Sequence, residues 1–139
     1  MDHFADRLIA AVKRKGAPIC LGLDPRWDQL PSALRDQALR DHGDTPRARA
    51  EAFLAFNRTI LDAVGDRVPV CKPQVAFYEQ YGAEGWRALE TTIRYARERG
   101  VLTVADLETS AAADPLRQAL AERWLAVAVR QRLQEQITA

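Results

Sequence analysis

Metal ligands, disulfide pairs and phosphate loops are all scarce in this chain of 139 residues. Its two histidines, His3 and His42, are isolated, so no ligand spacing points to a metal centre. Its two cysteines, Cys20 and Cys71, sit in apolar runs, where a free thiol behaves as a small hydrophobe. Both read as core thiols in a reducing compartment, with a disulfide between adjacent strands the less favoured alternative. There is no glycine-rich phosphate loop and no dinucleotide fingerprint. Neither histidine lies near a strand end, which leaves a Ser-His-Asp triad without a candidate. No apolar run is long enough to span a bilayer, and the N-terminus reads as an acidic amphipathic helix rather than a leader. A cytoplasmic protein is the expectation. Charge of one sign is also missing: 20 basic and 19 acidic side chains leave a net +1. That balance excludes the electrostatic footprint of a nucleic-acid or membrane-surface binder. Lysine occurs only at positions 13, 15 and 72, and the many arginines fall on predicted helices, where a solvated face is the ordinary reading.

What is present is the balance of a globular domain, 47% hydrophobic and 28% charged. A chain of this length buries a core without a metal or disulfide staple. Phe4, Leu8, Ala11 and Val12 form one helical stripe, with Asp2 as a cap and Gly16 as a stop. Pro18 to Leu23 is a short apolar run closed by Asp24-Pro25, which predicts a buried strand. One short helix is expected near Ser32 to Arg40, and a longer one from about Pro46 to Val64, with Phe53, Leu54, Asn57, Ile60, Leu61 and Val64 on one face. A second strand, Val68 to Cys71, ends in Lys72-Pro73. The helical stretch that follows carries Val75, Tyr78 and Tyr81, breaks around Gly82 and Gly85, and resumes to Arg99. Gly100 stops it, and Val101 to Ala105 makes a third strand ending in Asp106. Asp114-Pro115 opens a last helix. Short, continuously apolar strands alternating with helices mean an α/β protein with a parallel sheet covered on both faces. The pattern fits a small open sheet or part of a (β/α) barrel, whose complete form takes about 250 residues.

Each strand ends in a charge: Asp24, Lys72 and Asp106. In parallel α/β folds the carboxyl ends of strands line the ligand crevice, so these three charges should converge. A lysine held between carboxylates could orient a polar, hydroxyl-bearing substrate. The alternative is that strand ends simply meet solvent, where charge costs nothing. Trp27, Trp86 and Trp124 read as packing residues, and Gly22 inside a strand can mark close approach of another group.

Gly22-Leu23-Asp24-Pro25-Arg26 after an apolar strand resembles the opening of the longer bacterial orotidine 5′-phosphate decarboxylases. Phe56-Asn57-Arg58 with Ile60 is similar to that subfamily's second helix. The run from Val70 through Cys71-Lys72-Pro73-Gln74-Val75-Ala76-Phe77-Tyr78-Glu79, then Gly82 and Gly85, resembles its second strand and following helix. The register continues through Gly100 to Asp106, so the resemblance covers Phe4 to Asp106. It implies a partial TIM-barrel-like (β/α) fold of three parallel strands with outer helices, no cofactor, a homo-oligomer, and orotidine 5′-monophosphate as the small-molecule partner. The family releases carbon dioxide from that nucleotide to give uridine 5′-monophosphate, a step of pyrimidine biosynthesis.

By the same resemblance, Asp24 and Lys72 would hold ribose hydroxyls, and Lys72 and Asp106 would belong to the catalytic group. The family's third strand carries Asp-x-Lys-x-x-Asp, whose ammonium protonates the carbanion left at C6 and favours the growing negative charge. Here Asp106 matches the first aspartate, but Glu108 stands at the lysine position and Ala111 at the final aspartate. A carboxylate there reverses the charge where negative charge must grow. Asp114 reads as a helix cap. Two expectations follow: residues 1–108 as the N-terminal part of a decarboxylase-like barrel, and residues 109–139 as a divergent helical tail. The chain is then either an impaired or inactive decarboxylase relative, or a non-catalytic half-barrel module that self-associates or pairs with another barrel fragment. Open sheet edges and the apolar helix faces around Phe53, Ile60 and Val64 favour association.

Overall fold

The structure, a computed structural model, describes residues 3–104. The elements run α1 (Phe4–Lys15), β1 (Cys20–Leu23), a 3-10 turn (Trp27–Gln29), α2 (Ser32–His42), α3 (Pro46–Val64), β2 (Val70–Pro73), α4 (Ala76–Glu79), α5 (Gly82–Glu98) and β3 (Leu102–Thr103). The expected alternation is realised. Asp2, expected as the cap of α1, and everything after Val104 lie outside the described residues.

The three strands form one sheet in the order β1-β2-β3, and both pairings are parallel. Cys20 stands opposite Val70, and Gly22 opposite Lys72; Val70 in turn meets Leu102. Side chains alternate across a strand, so Leu21, Leu23 and Cys71 share one face. Leu23 and Cys71 are buried there with Leu61, Val68, Ala96 and Val101, and Leu21, Ile60, Val64 and Tyr95 pack around them. Helices α3 and α5 therefore cover this face, as expected for outer helices.

Helix α3 begins where its sequence says it should. The Thr45 hydroxyl accepts from the Ala48 N–H at 3.3 Å, and Pro46 occupies the first turn, where its missing N–H costs nothing. A second apolar cluster joins α2, α3, α4 and α5. Phe53 lies at its centre, edge-on to Tyr78 (centroids 6.0 Å apart) and to Tyr81 (5.4 Å). Such aromatic pairs add about 0.5–1.5 kcal/mol each beyond their buried area. Trp27 and Trp86 pack against this cluster, as read from sequence.

Four expectations need correction. Cys20 is exposed, and only Cys71 is a core thiol; both are free. Cys20 shares a sheet face with Gly22, away from the helices, and a four-residue apolar run does not reveal which of its faces is covered. Phe53 is fully buried rather than part of an uncovered helix face, while Ile60 and Val64 are half-buried. Gly85 does not break a helix: it lies inside α5, and only Gly82, at φ +60°, marks the break. The α1 stripe is incomplete, because Phe4 is 43% exposed and only Ala11 is buried.

Candidate functional site

The site is built at the carboxyl ends of β1 and β2. Asp24 follows the last residue of β1, and Lys72 lies in β2 opposite Gly22. Alternation puts Asp24 on the face that Gly22 and Lys72 occupy. The carboxylate confirms it: a Cβ added at Gly22 would lie 3.2 Å from Asp24 Oδ2. Gly22 is thus the floor beneath the Asp24 carboxylate. The close approach expected at this glycine is real, and the group that approaches is a side chain of the same strand.

Asp24 Oδ1 accepts from the Gln74 N–H at 3.1 Å, which ties the exposed carboxylate across to the chain leaving β2. Lys72 is half-buried and is engaged in a polar interaction. The structure therefore brings two of the three expected residues, Asp24 and Lys72, to neighbouring strand ends on one face. Asp106, Glu108, Ala111 and Asp114 lie outside the described residues.

Behind this pair is a polar network that sequence reading missed. The Tyr78 hydroxyl donates to the Leu23 carbonyl at 2.9 Å. Asn57 Nδ2 donates to the Tyr78 oxygen at 2.8 Å and to Thr92 Oγ1 at 3.1 Å. Asn57, Tyr78 and Thr92 are all buried, and Asn57 Oδ1 has no partner among the described residues. Burial pushes the Tyr78 phenol well above its usual range, so its hydroxyl keeps its proton and remains a donor. Burial likewise pushes the Cys71 thiol up to about 11, although its contact with the Thr103 hydroxyl (3.7 Å) works the other way. An asparagine among apolar residues on a helix face was the available signal for the network: a buried amide needs partners on the facing elements.

Tyr78 is held in turn by Gly85. A Cβ there would come within 1.8 Å of the Tyr78 carbonyl oxygen, so α5 reaches α4 only because that position is glycine. Among the described residues no cluster of three metal-binding side chains occurs, and no helix is long and apolar enough to cross a membrane.

No family model matches the chain. An orotidine 5′-phosphate decarboxylase of Rhodopirellula baltica is 42% identical over 106 residues, covering 76% of this chain and 34% of that protein. The enzyme of the same name from Streptomyces coelicolor is 39% identical over 106 residues, with the same coverage. Among solved structures, a Streptomyces avermitilis protein assigned as orotidine 5′-phosphate decarboxylase superposes with a TM-score of 0.60 at 30% identity, over 91% of this chain and 39% of that one. A Toxoplasma gondii protein assigned as orotidine-monophosphate decarboxylase shares the fold with a TM-score of 0.61 at 24% identity. The chain spans about a third of the length of the curated relatives it matches. Its three parallel strands and outer helices are a partial α/β fold that matches part of these TIM-barrel structures. In sequence and in fold, the chain is similar to about a third of an orotidine 5′-phosphate decarboxylase.

Proposed function

We propose that this chain carries the ribose-holding part of an orotidine 5′-phosphate decarboxylase site and does not by itself turn over orotidine 5′-monophosphate. The observation that supports this reading is the register of Gly22 with Lys72, which sets the Asp24 carboxylate and the Lys72 ammonium on adjacent strand ends and on one face. A carboxylate accepts from ribose hydroxyls and an ammonium donates to them, so the pair suits a vicinal diol. Asp106 would complete the group as its third charge. In this reading residues 1–108 are the N-terminal part of a decarboxylase-like barrel, and residues 109–139 a divergent helical tail.

Turnover fails for an electrostatic reason. Decarboxylation breaks the bond from C6 to the carboxylate and leaves the electron pair on C6, where a cation must stabilise it and supply the proton. Glu108 stands where the family's proton-donating lysine belongs, and Ala111 where its final aspartate belongs. Loss of one preorganised charge contact costs on the order of a hundred- to a thousand-fold in rate. The purified chain should therefore show no decarboxylation above background, yet bind uridine 5′-monophosphate weakly. Asp24→Ala and Lys72→Ala should each weaken that binding roughly tenfold, the size of one charge-assisted hydrogen bond. Clear turnover, with the host enzyme excluded, or binding indifferent to both substitutions, would refute the reading.

A second reading is supported by the sheet itself. On the β1 edge Ile19 is 52% exposed and Cys20 beside it is also exposed, and on the β3 edge Val104 is 40% exposed. A non-catalytic module that associates through these edges, with a second copy or with another barrel fragment, would cover them.

A further inference from the structure

Gly22 is out of place in β1 on local grounds. A glycine inside a strand loses more conformational freedom on folding than any other residue and adds no side chain to the packing. A backbone angle that other residues avoid would justify it, but the glycines with positive φ are Gly16, Gly43, Gly82 and Gly100. Gly22 is also exposed, so no core packing asks for its small size. What remains is a close neighbour. Among the described residues a Cβ at Gly22 would meet two atoms within 4 Å, and both belong to Asp24: Oδ2 at 3.2 Å and Cγ at 3.8 Å.

That neighbour is not free to step aside. Pro25 restricts Asp24 to an extended backbone, which fixes where its short side chain starts. Asp24 Oδ1 is held by the Gln74 N–H at 3.1 Å. The Leu23–Pro73 pairing directs the same N–H at the Leu23 carbonyl, because Pro73 has none of its own, so the tether is part of the sheet. With Oδ1 tied to the end of β2, Oδ2 lies over Gly22, and Gly22 stands opposite Lys72. The carboxylate thus folds back over its own strand to the level of the lysine instead of pointing past the strand end. A methyl group at position 22 would push it away by a few tenths of an ångström.

We infer that Gly22 is a positioning residue of this site: its bare Cα lets Asp24 Oδ2 turn toward Lys72, where the two charges can meet neighbouring hydroxyls of one ligand. This role rests on the reading of Asp24 and Lys72 as ribose-holding groups. Its geometric half, the coupling of position 22 to the Asp24 carboxylate, is measurable without any ligand.

Gly22→Ala, alone and combined with Asp24→Ala in the labelled full chain, is the test. Without ligand, the Gln74 amide proton reports on the carboxylate. Its resonance should move upfield in Asp24→Ala, move part of the way in Gly22→Ala, and stay put when Gly22→Ala is added to Asp24→Ala. With uridine 5′-monophosphate, Gly22→Ala should weaken binding roughly three- to tenfold, at most the loss expected for Asp24→Ala. In the Asp24→Ala background the same change should alter affinity by less than about twofold, because the group it acts through is gone. Urea unfolding separates this from damage to the fold. Adding Gly22→Ala to Asp24→Ala should raise the midpoint, as loss of a glycine does where nothing obstructs the new methyl group. If Gly22→Ala alone does not fold, the double variant still should, since the obstructing carboxylate is absent from it. A Gln74 amide indifferent to Gly22→Ala, an affinity loss that persists in full without Asp24, or a double variant less stable than Asp24→Ala overturns the inference. If the Gln74 amide responds as expected but the unaltered chain binds no nucleotide, the ribose-holding reading fails while the positioning of Asp24 by Gly22 stands.

Discussion

Single positions decide more of this structure than their residue types suggest. Gly85 is the sharpest case, because any side chain there would overlap the Tyr78 carbonyl. Gly85→Ala should destabilise the chain by about 3 kcal/mol, the upper range for overpacking, since backbone rather than a flexible side chain must move. Urea unfolding followed by far-UV circular dichroism measures it, and a loss below about 1 kcal/mol would mean that α4 and α5 separate freely. Cys71 makes a pH-dependent contribution. Burial raises its thiol from 9.0 to about 11 in the folded chain, so the folded state holds that proton more tightly than the unfolded chain. The associated stability is complete below about pH 9 and is lost as the pH rises toward 11. Cys71→Ala should flatten the fall in urea midpoint between about pH 9 and pH 11, and parallel curves for the two chains would exclude this role. Residue type in the sequence exposed the strand-end charges, but not the state of the cysteines. Cys20 and Cys71 sit in similar apolar runs, and only the third dimension separates the face that meets α3 and α5 from the one that does not.

At the scale of elements, the sequence was most legible where period and punctuation agree. Helix α3 runs from Pro46 to Val64, the bounds its apolar face suggested. Strand ends were less legible, because β1 covers only Cys20–Leu23 and the described part of β3 only Leu102–Thr103, while apolar residues continue beyond the paired segments. Helix α1 shows why an amphipathic pattern overstates docking. Its stripe meets the rest of the chain mainly through Ala11 and the bond from Lys15 Nζ to the Gly65 carbonyl at 2.8 Å, while Phe4 and Ile9 stay exposed. Helix α3, by contrast, buries seven residues. Local opening follows buried contact, so amides of α1 should exchange with solvent at least a hundred-fold faster than central amides of α3. Equal protection of the two helices in a hydrogen-exchange experiment would show that α1 opens only with the whole domain.

Among the described residues the sheet has one face covered by helices and two edges, whereas parallel sheets normally have both faces covered and few open edges. Half of the candidate site was legible in the sequence, since Asp24 and Lys72 are strand-end charges in a parallel order. The Tyr78–Asn57–Thr92 network was not, because it joins residues 21 and 35 positions apart. The same sheet has a physical consequence for assembly. Among the described residues β1 and β3 each have only β2 as a neighbour, and no described strand pairs with their outer sides. Natural edges are usually guarded by charge, yet β1 reads Cys-Leu-Gly-Leu and carries none. Ile19, just before it, is 52% exposed. An unguarded apolar edge is a template for another strand, and a second copy of the chain offers the same one. Sedimentation velocity should therefore give a weight-average mass above the monomer that rises with concentration. Ile19→Lys adds a charge at this edge at little cost to the fold, since the position is exposed. It should shift the distribution toward monomer while leaving the thermal midpoint nearly unchanged. A strict monomer at the highest attainable concentration would remove the argument, and so would association that Ile19→Lys leaves untouched, because the contact would then lie elsewhere than on the β1 edge.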